Sequence, residues 1–359
     1  MHSNNIGTLR FLGAFFVLFG HGYSLCAGKR ALDPLSALLV AYSPFHKALP
    51  GIGVMLFFVL SGYLITASFL KRNDWLDFTV ARILRIYPAL IVAVLFCVFI
   101  VGLHVTTLPT SEYLAHKETI NFILHNCSLL FLHFNLPGVF LDLPWKNNIN
   151  GSLWTLPIEL SMYLLVAIIG IAGVLRDSRL FNVLCVVFIL AFIANPKQFL
   201  LLNTPGDVYL GLSFLLGAFF CVNKNSIKLT APGLLLCLVP CLVTFKTPYY
   251  NFFALVFFSY AVLYIGLHER IRLPALDRYG DFSYGLYLYA FPFQQLSIFY
   301  LGTESPLLIN ATAFLGAMLL SITSWFLVEK PALAYKSQLT LKLYHLKRLL
   351  SFKQNQVSN

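Results

Sequence analysis

Apolar residues run along this chain in long blocks separated by short polar gaps. A bilayer-spanning helix needs about 20 predominantly apolar residues, roughly 17–25. Ten blocks approach that length: 7–25, 50–70, 84–103, 153–175, 180–195, 207–223, 230–245, 250–267, 282–300 and 306–328. The pattern predicts an all-α fold, a polytopic transmembrane helix bundle of about ten spans. A further block, 119–136, is interrupted by His125, Asn126, His133 and Asn135. It reads as an interfacial or re-entrant segment, with an eleventh span as the alternative. Most connections are short, as between neighbouring helices. Two are long, 26–49 and 104–152, and both fall on one side of the bundle, where functional loops often sit. Residues 1–335 form one membrane-embedded domain. Residues 336–359 form a basic tail, amphipathic or disordered, suited to rest on anionic lipid.

Composition strengthens this reading. Of 359 residues, 58% are hydrophobic and 11% charged, and the mean hydropathy is +0.78. A water-soluble chain of this length could not hide so much apolar surface, whereas lipid solvates it directly. The net charge of +11 does not point to nucleic acid, because the basic residues sit in the gaps between apolar blocks and form no single patch. With ten spans both termini face one side. Eighteen Lys and Arg residues then fall on that side and seven on the other, out of 25. The positive-inside rule makes that side the cytoplasm. The stretch from Phe11 to Phe19 behind Arg10 resembles a signal peptide. Leu25 stands before Cys26 where a lipobox needs a small residue, so the stretch reads as a retained first helix. Seven scattered cysteines give neither a disulfide framework nor metal-ligand spacing, and no metal is expected.

Several polar residues inside these blocks are candidates for chemistry. Arg10 and His21 are eleven apart, which on a helix is about 16 Å of rise and about 20° of net rotation. They share one face, with Arg10 at the cytoplasmic mouth and His21 deep in the bilayer. An ionisable group at that depth is costly and a functional candidate; a histidine hydrogen-bonded quietly inside the bundle is the alternative. Gly51, Gly53, Ser61 and Gly62 are small enough to let helices approach closely. Arg82 and Arg85, at i and i+3, share a face and suit a phosphate clamp; ordinary cytoplasmic anchoring explains them equally. Ser152 and Glu159 share a face, and Glu159 lies about two turns into the membrane, where a carboxylate must be paired, neutral or facing water. Trp154 fits an aromatic belt. Ser283 and Tyr287 are at i and i+4, and Pro292 should kink its helix and free a carbonyl.

Taken as an ordered set, these segments resemble the acyltransferase 3 family of membrane acyltransferases. The resemblance rests on Arg10 and His21 with ten residues between them, Phe57-Phe58-Val59-Leu60-Ser61-Gly62-Tyr63-Leu64-Ile65, Arg82-x-x-Arg85-Ile86-x-Pro88, Ser152-Leu153-Trp154-Thr155-Leu156 with Glu159, Ser283-Tyr284-Gly285-x-Tyr287-Leu288, and Glu329-Lys330-Pro331. It covers about residues 7–335. It implies an enzyme of the bacterial inner membrane that takes an acyl group, usually acetyl, from cytoplasmic acyl-coenzyme A. The acceptor it implies is a sugar hydroxyl of a surface glycan, such as O-antigen, or of its undecaprenyl-linked precursor. Many relatives carry Asp where Met55 stands and His where Ala290 stands. The Tyr-Leu-Tyr-Ala-Phe-Pro form found here is similar to the glycan O-acetyltransferase branch.

The expected arrangement follows from that resemblance. Arg10, Arg82, Arg85 and Ser61 bind acetyl-coenzyme A. His21 serves as general base or acyl relay, assisted by Glu159. Asn150, Ser152, Trp154, Ser283 and Tyr287 line the acceptor side. Arg10, His21 and the Arg82/Arg85 pair should then converge on one tunnel that admits the thioester. A proton-coupled transporter or flippase using His21 and Glu159 as a relay is the rival reading. Such proteins often show paired repeats, and none is visible here.

Overall fold

The computed structural model describes residues 4–28, 31–42, 48–72, 74–194 and 205–357. Among these, every regular element is helical and no strand occurs. The principal helices are α1 (Ile6–Ala27), α2 (Leu49–Arg72), α3 (Trp75–Val105), α4 (Leu156–Ile171), α5 (Ser178–Ala194), α6 (Pro205–Val222), α7 (Ala231–Val243), α8 (Tyr250–Leu267), α9 (Ser283–Leu301), α10 (Pro306–Ser324) and α11 (Lys336–Val357). Each of the ten apolar blocks overlaps one of α1–α10. Six stretches among the described residues are long and apolar enough to cross a membrane: Ile6–Ala27, Leu49–Arg72, Trp75–Val105, Gly151–Ile171, Tyr250–Leu267 and Pro306–Leu349. Three further apolar helices are shorter in their described parts, Ser178–Ala191, Val208–Val222 and Ala231–Val243. Helix α9 is long enough, at 19 residues. It is rich in Tyr and Gln, and it lies inside the protein, where Ser283 through Pro292 are all buried.

Two boundaries differ from expectation for local reasons. Helix α3 begins at Trp75, not near 84, because Asp74 caps it: the Asp74 carboxylate accepts from the Leu76 and Asp77 backbone N–H groups at 2.9 and 3.3 Å. Arg82 and Arg85 therefore project from the body of a helix and not from the segment before it. Pro88 lies within α3 without ending it, and the chain continues through a π-helical stretch, Phe96–Gly102. The Tyr113 hydroxyl donates to the Val98 carbonyl there, at 3.1 Å. The block 119–136 forms a helix only over Lys117–Ser128. At 1.5 Å per residue that is about 18 Å, well short of a hydrocarbon core of about 30 Å.

Glycines set the spacing of the central helices. A Cβ on Gly13 of α1 would lie 3.1 Å from the Gly53 carbonyl of α2. Across the other face of α2, a Cβ on Gly62 would overlap the Phe214 carbonyl, and one on Gly217 the Val59 carbonyl. Helices α2 and α6 thus pack backbone to backbone, as small residues allow. Helix α9 is enclosed mainly by α1 and α10.

The basic tail is helical and folds back on the bundle. Lys336 pairs with Asp77 at 2.7 Å, Thr340 donates to Asp77 at 3.4 Å, and Tyr344 donates to Asp74. These three residues are spaced by four, so one face of α11 lies along the start of α3.

Candidate active site

Proline chemistry fixes the centre of the site. Pro292 has no N–H, so the carbonyl four residues earlier, that of Leu288, loses its helical donor. The Asn150 Nδ2 donates to it at 2.8 Å. The Asn150 Oδ1 in turn accepts from the Ser152 N–H at 3.2 Å, capping the turn Gly151–Thr155 that leads into α4. Both ends of the Asn150 side chain are thereby committed to holding α4 against α9. Next to it the Tyr287 hydroxyl shares a 2.6 Å hydrogen bond with Thr155 and donates to the Ser152 carbonyl at 2.8 Å.

This bracing brings Glu159 of α4 opposite Ser61 of α2 and beside three arginines. Arg10, Arg82 and Arg85, from α1 and α3, line one cavity of about 80 Å³ together with Ser61, Glu159 and Tyr163. A second cavity of about 40 Å³ shares Arg10, Ser61, Glu159 and Tyr284 and extends to Phe57, Thr155 and Tyr287. The Glu159 Oε1 accepts from the Tyr163 hydroxyl and lies 3.5 Å from the Ser61 Oγ.

The three arginines are not equivalent. Arg10 and Arg85 share one carboxylate, Asp281, at 2.5 and 2.6 Å. Arg85 also reaches Glu329 at 3.3 Å, and Glu329 accepts from Ser324 at 3.2 Å. Arg82 is paired with no carboxylate among the described residues. Its guanidinium lies 5.8 Å from the ring centres of Phe78 and Tyr163, and its Nε is buried without a hydrogen-bond partner. Asp281 stands just before α9. Burial alone would raise its pKa, but the two guanidiniums and the Ser283 hydroxyl, at 2.5 Å, together hold the carboxyl well below the usual range.

His21 and Arg10 both face α9, as their spacing requires. Arg10 meets Asp281 at one end of that helix. His21 lies beside its middle, the ring 5.7 Å from Phe291 and 6.4 Å from Trp145. His21 lines neither cavity. Phe291 is one helical turn beyond Tyr287, so about 6 Å of α9 separates the end of the second cavity from the imidazole. The His21 Nδ1 is buried with no hydrogen-bond partner.

The structure therefore gathers Arg10, Ser61, Arg82, Arg85, Glu159 and Tyr287 around two adjoining cavities. Ser283 joins them through Asp281. Ser152 is 1% exposed and contributes its carbonyl to Tyr287, while its Oγ has no partner. Trp154, 39% exposed, lines neither cavity and suits the aromatic-belt alternative better. Sequence reasoning missed Asp281, Glu329 and Tyr163. Tyr163 follows Glu159 by four residues and so shares its face, a signal that was available. The acidic partners of Arg10 and Arg85 come from 196 to 271 residues away, so nothing in the sequence around either arginine shows the pairing.

A family model described as an acyltransferase domain matches residues 3–330. An O-acetyl transferase of Shigella phage Sf6 is 29% identical over 350 residues, covering 94% of this chain and 98% of the phage protein. Nodulation protein 10 of Rhizobium leguminosarum bv. viciae is 34% identical over 169 residues, 45% of this chain and 43% of that protein. No solved structure matches.

Proposed function

We propose, from the premise that this chain belongs to the acyltransferase 3 family, that it is a membrane O-acetyltransferase moving an acetyl group from cytoplasmic acetyl-coenzyme A to a sugar hydroxyl. The acceptor is a surface polysaccharide or its undecaprenyl-linked precursor. The chain sits in the bacterial inner membrane with ten spans and both termini in the cytoplasm. The name of the phage relative, matched along almost its whole length, supports an acetyl group and an oxygen acceptor. The observation that supports the donor is the convergence of Arg10, Arg82 and Arg85 on one cavity, because coenzyme A carries several phosphates and guanidiniums bind phosphate oxygens bidentately.

The cavities as they stand have room for only a few waters and are too small for a coenzyme A arm. Asp281 occupies the guanidiniums that an anionic donor needs. Donor phosphates displace Asp281 from Arg10 and Arg85 and meet Arg82, which has no carboxylate to give up among the described residues. The thioester arm then advances along α1, past Glu159 and Tyr287, toward His21.

At His21 the acceptor hydroxyl gives its proton to the neutral imidazole as its oxygen attacks the thioester carbonyl. A carbon–oxygen bond forms and the carbon–sulfur bond breaks. Coenzyme A leaves as a thiolate and takes up the proton that the imidazole holds. General-base assistance of this kind contributes about 10²–10⁴-fold. An acyl-imidazole relay uses the same residue and the same balance.

The test compares surface glycans from cells with and without this chain by mass spectrometry. The reading expects loss of one acetyl mass, 42 Da on the order of one substituent per repeat. Identical glycan masses, with no acetyl-coenzyme A binding by the purified protein, overturn it.

A further inference from the structure

Around His21 the structure leaves two buried oxygen acceptors with no donor among the described residues. Gln295 is fully buried, and its Nε2 donates to the backbone carbonyls of Trp145 and Asn148 at 2.9 and 2.8 Å. Two carbonyl partners fix which end of the amide is nitrogen, so the remaining Oε1 is an acceptor, and it has no partner. The Asn148 Oδ1 is likewise buried and without a partner. The Asn148 amide lies beside Gly151 and the Phe291 ring: a Cβ on Gly151 would stand 3.3 Å from the Asn148 Nδ2 and 2.8 Å from Phe291 Cε2. Phe291, Trp145 and His21 form a cluster of three rings 5.7 to 6.4 Å apart. The His21 Nδ1 is the third polar atom there without a partner.

A buried acceptor left unsatisfied is costly, because it has given up its water and gained nothing in return. Two carboxamide oxygens and an imidazole nitrogen in one neighbourhood are therefore a site built to receive hydrogen-bond donors. Their chemistry selects the ligand. Carbonyl oxygens repel carboxylate and phosphate, and a simple lipid alcohol offers a single hydroxyl. A polyhydroxylated ring offers several O–H groups at once, together with a C–H face that packs on an indole.

We propose that Asn148 and Gln295, with Trp145 as a wall, form the acceptor subsite and position one sugar hydroxyl at His21. The inference rests on the acetyltransferase reading and adds to it the residues that determine which hydroxyl is acylated. The Asn148 and Gln295 oxygens accept from two neighbouring hydroxyls of the ring, and the third hydroxyl is presented to the imidazole. Asn148 and Gln295 act as positioning residues. The bond changes stay those of acyl transfer.

The test uses Asn148→Leu and Gln295→Leu, expressed in cells that lack the chain, with wild type as control. Acetyl content of the surface polysaccharide is read by mass spectrometry. Acetyl-coenzyme A binding and melting temperature are measured on each purified protein in lipid nanodiscs. The expected result is a fall in acetyl content of about tenfold or more for each variant, with donor affinity unchanged. Asn148→Leu removes an unpaired acceptor, so its melting temperature should hold or rise, which keeps the test valid should Gln295→Leu fold poorly. Wild-type acetylation by Asn148→Leu overturns the inference. So does loss of donor binding along with acetylation in that variant, which marks a structural role. Should wild type itself add no acetyl mass, the acetyltransferase reading fails first and takes the subsite with it.

Discussion

Asn150 donates its side-chain amide to the Leu288 carbonyl across 2.8 Å, replacing the helical hydrogen bond that Pro292 cannot make. Replacing Asn150 by Ala leaves that buried carbonyl unpaired and should cost about 1–3 kcal/mol. Changing Pro292 to Ala as well restores an N–H four residues on, so the double variant should recover much of the loss. Thermal unfolding of both variants in detergent measures this; a double variant no better than Asn150→Ala would show that the amide does something else.

Arg82 differs from its neighbours in having no carboxylate within ion-pair distance among the described residues. Arg82→Ala should therefore raise the KM for acetyl-coenzyme A without the loss of fold that follows from breaking an ion pair. Arg85→Ala should raise the KM too, but with a lower melting temperature, since it strands Glu329, which is 2% exposed. Steady-state kinetics with thermal unfolding on the same preparations separates the two. An Arg82→Ala enzyme with an unaltered KM would return that residue to membrane anchoring.

Asp281→Asn should move stability and donor binding in opposite directions. It leaves Arg10 and Arg85 facing each other without their shared anion, at a cost of about 3–5 kcal/mol, and it frees both guanidiniums for phosphate, lowering the donor KM. The pH dependence has a definite sign. The folded carboxyl is held below its ordinary value, so its contribution is fully present above about pH 4 and fades only as pH falls through the still lower folded value. The melting-temperature gap between wild type and Asp281→Asn should be constant from neutral pH down to that point and should close in stronger acid. A gap that closes near neutral pH would contradict the pairing.

His21→Gln should lower kcat by about 10²–10⁴-fold and leave donor affinity intact, because His21 lines neither arginine cavity. Turnover and acetyl-coenzyme A binding, measured separately, check this. Loss of binding would place the imidazole in the donor site.

Gly217→Leu should destabilise the protein more than an exposed substitution does, since even a Cβ there overlaps the Val59 carbonyl. Overpacking of this kind costs about 1–3 kcal/mol, and the separation of α2 and α6 also sets where Ser61 meets Glu159. Thermal unfolding and donor affinity should both suffer; an unchanged melting temperature would mean that the two helices part freely.

Hydrophobic block length determined the helices, because in lipid the backbone must satisfy its own hydrogen bonds and a long apolar run has few alternatives to a helix. Helical periodicity likewise determined that Arg10 and His21 share a face, and that Arg82 lies beside Arg85. The freed carbonyl before Pro292 was also legible, since a missing N–H is a covalent fact. Which group fills that gap was not, because Asn150 lies 138 residues away. For the same reason the sequence showed neither the carboxylate that Arg10 and Arg85 share nor the carboxamides beside His21. Ion pairs and buried amides depend on which helices pass one another, and only the packing of α1, α3, α4 and α9 decides that. Tertiary structure also decided which side chains line the arginine cavities, and His21 is not among them.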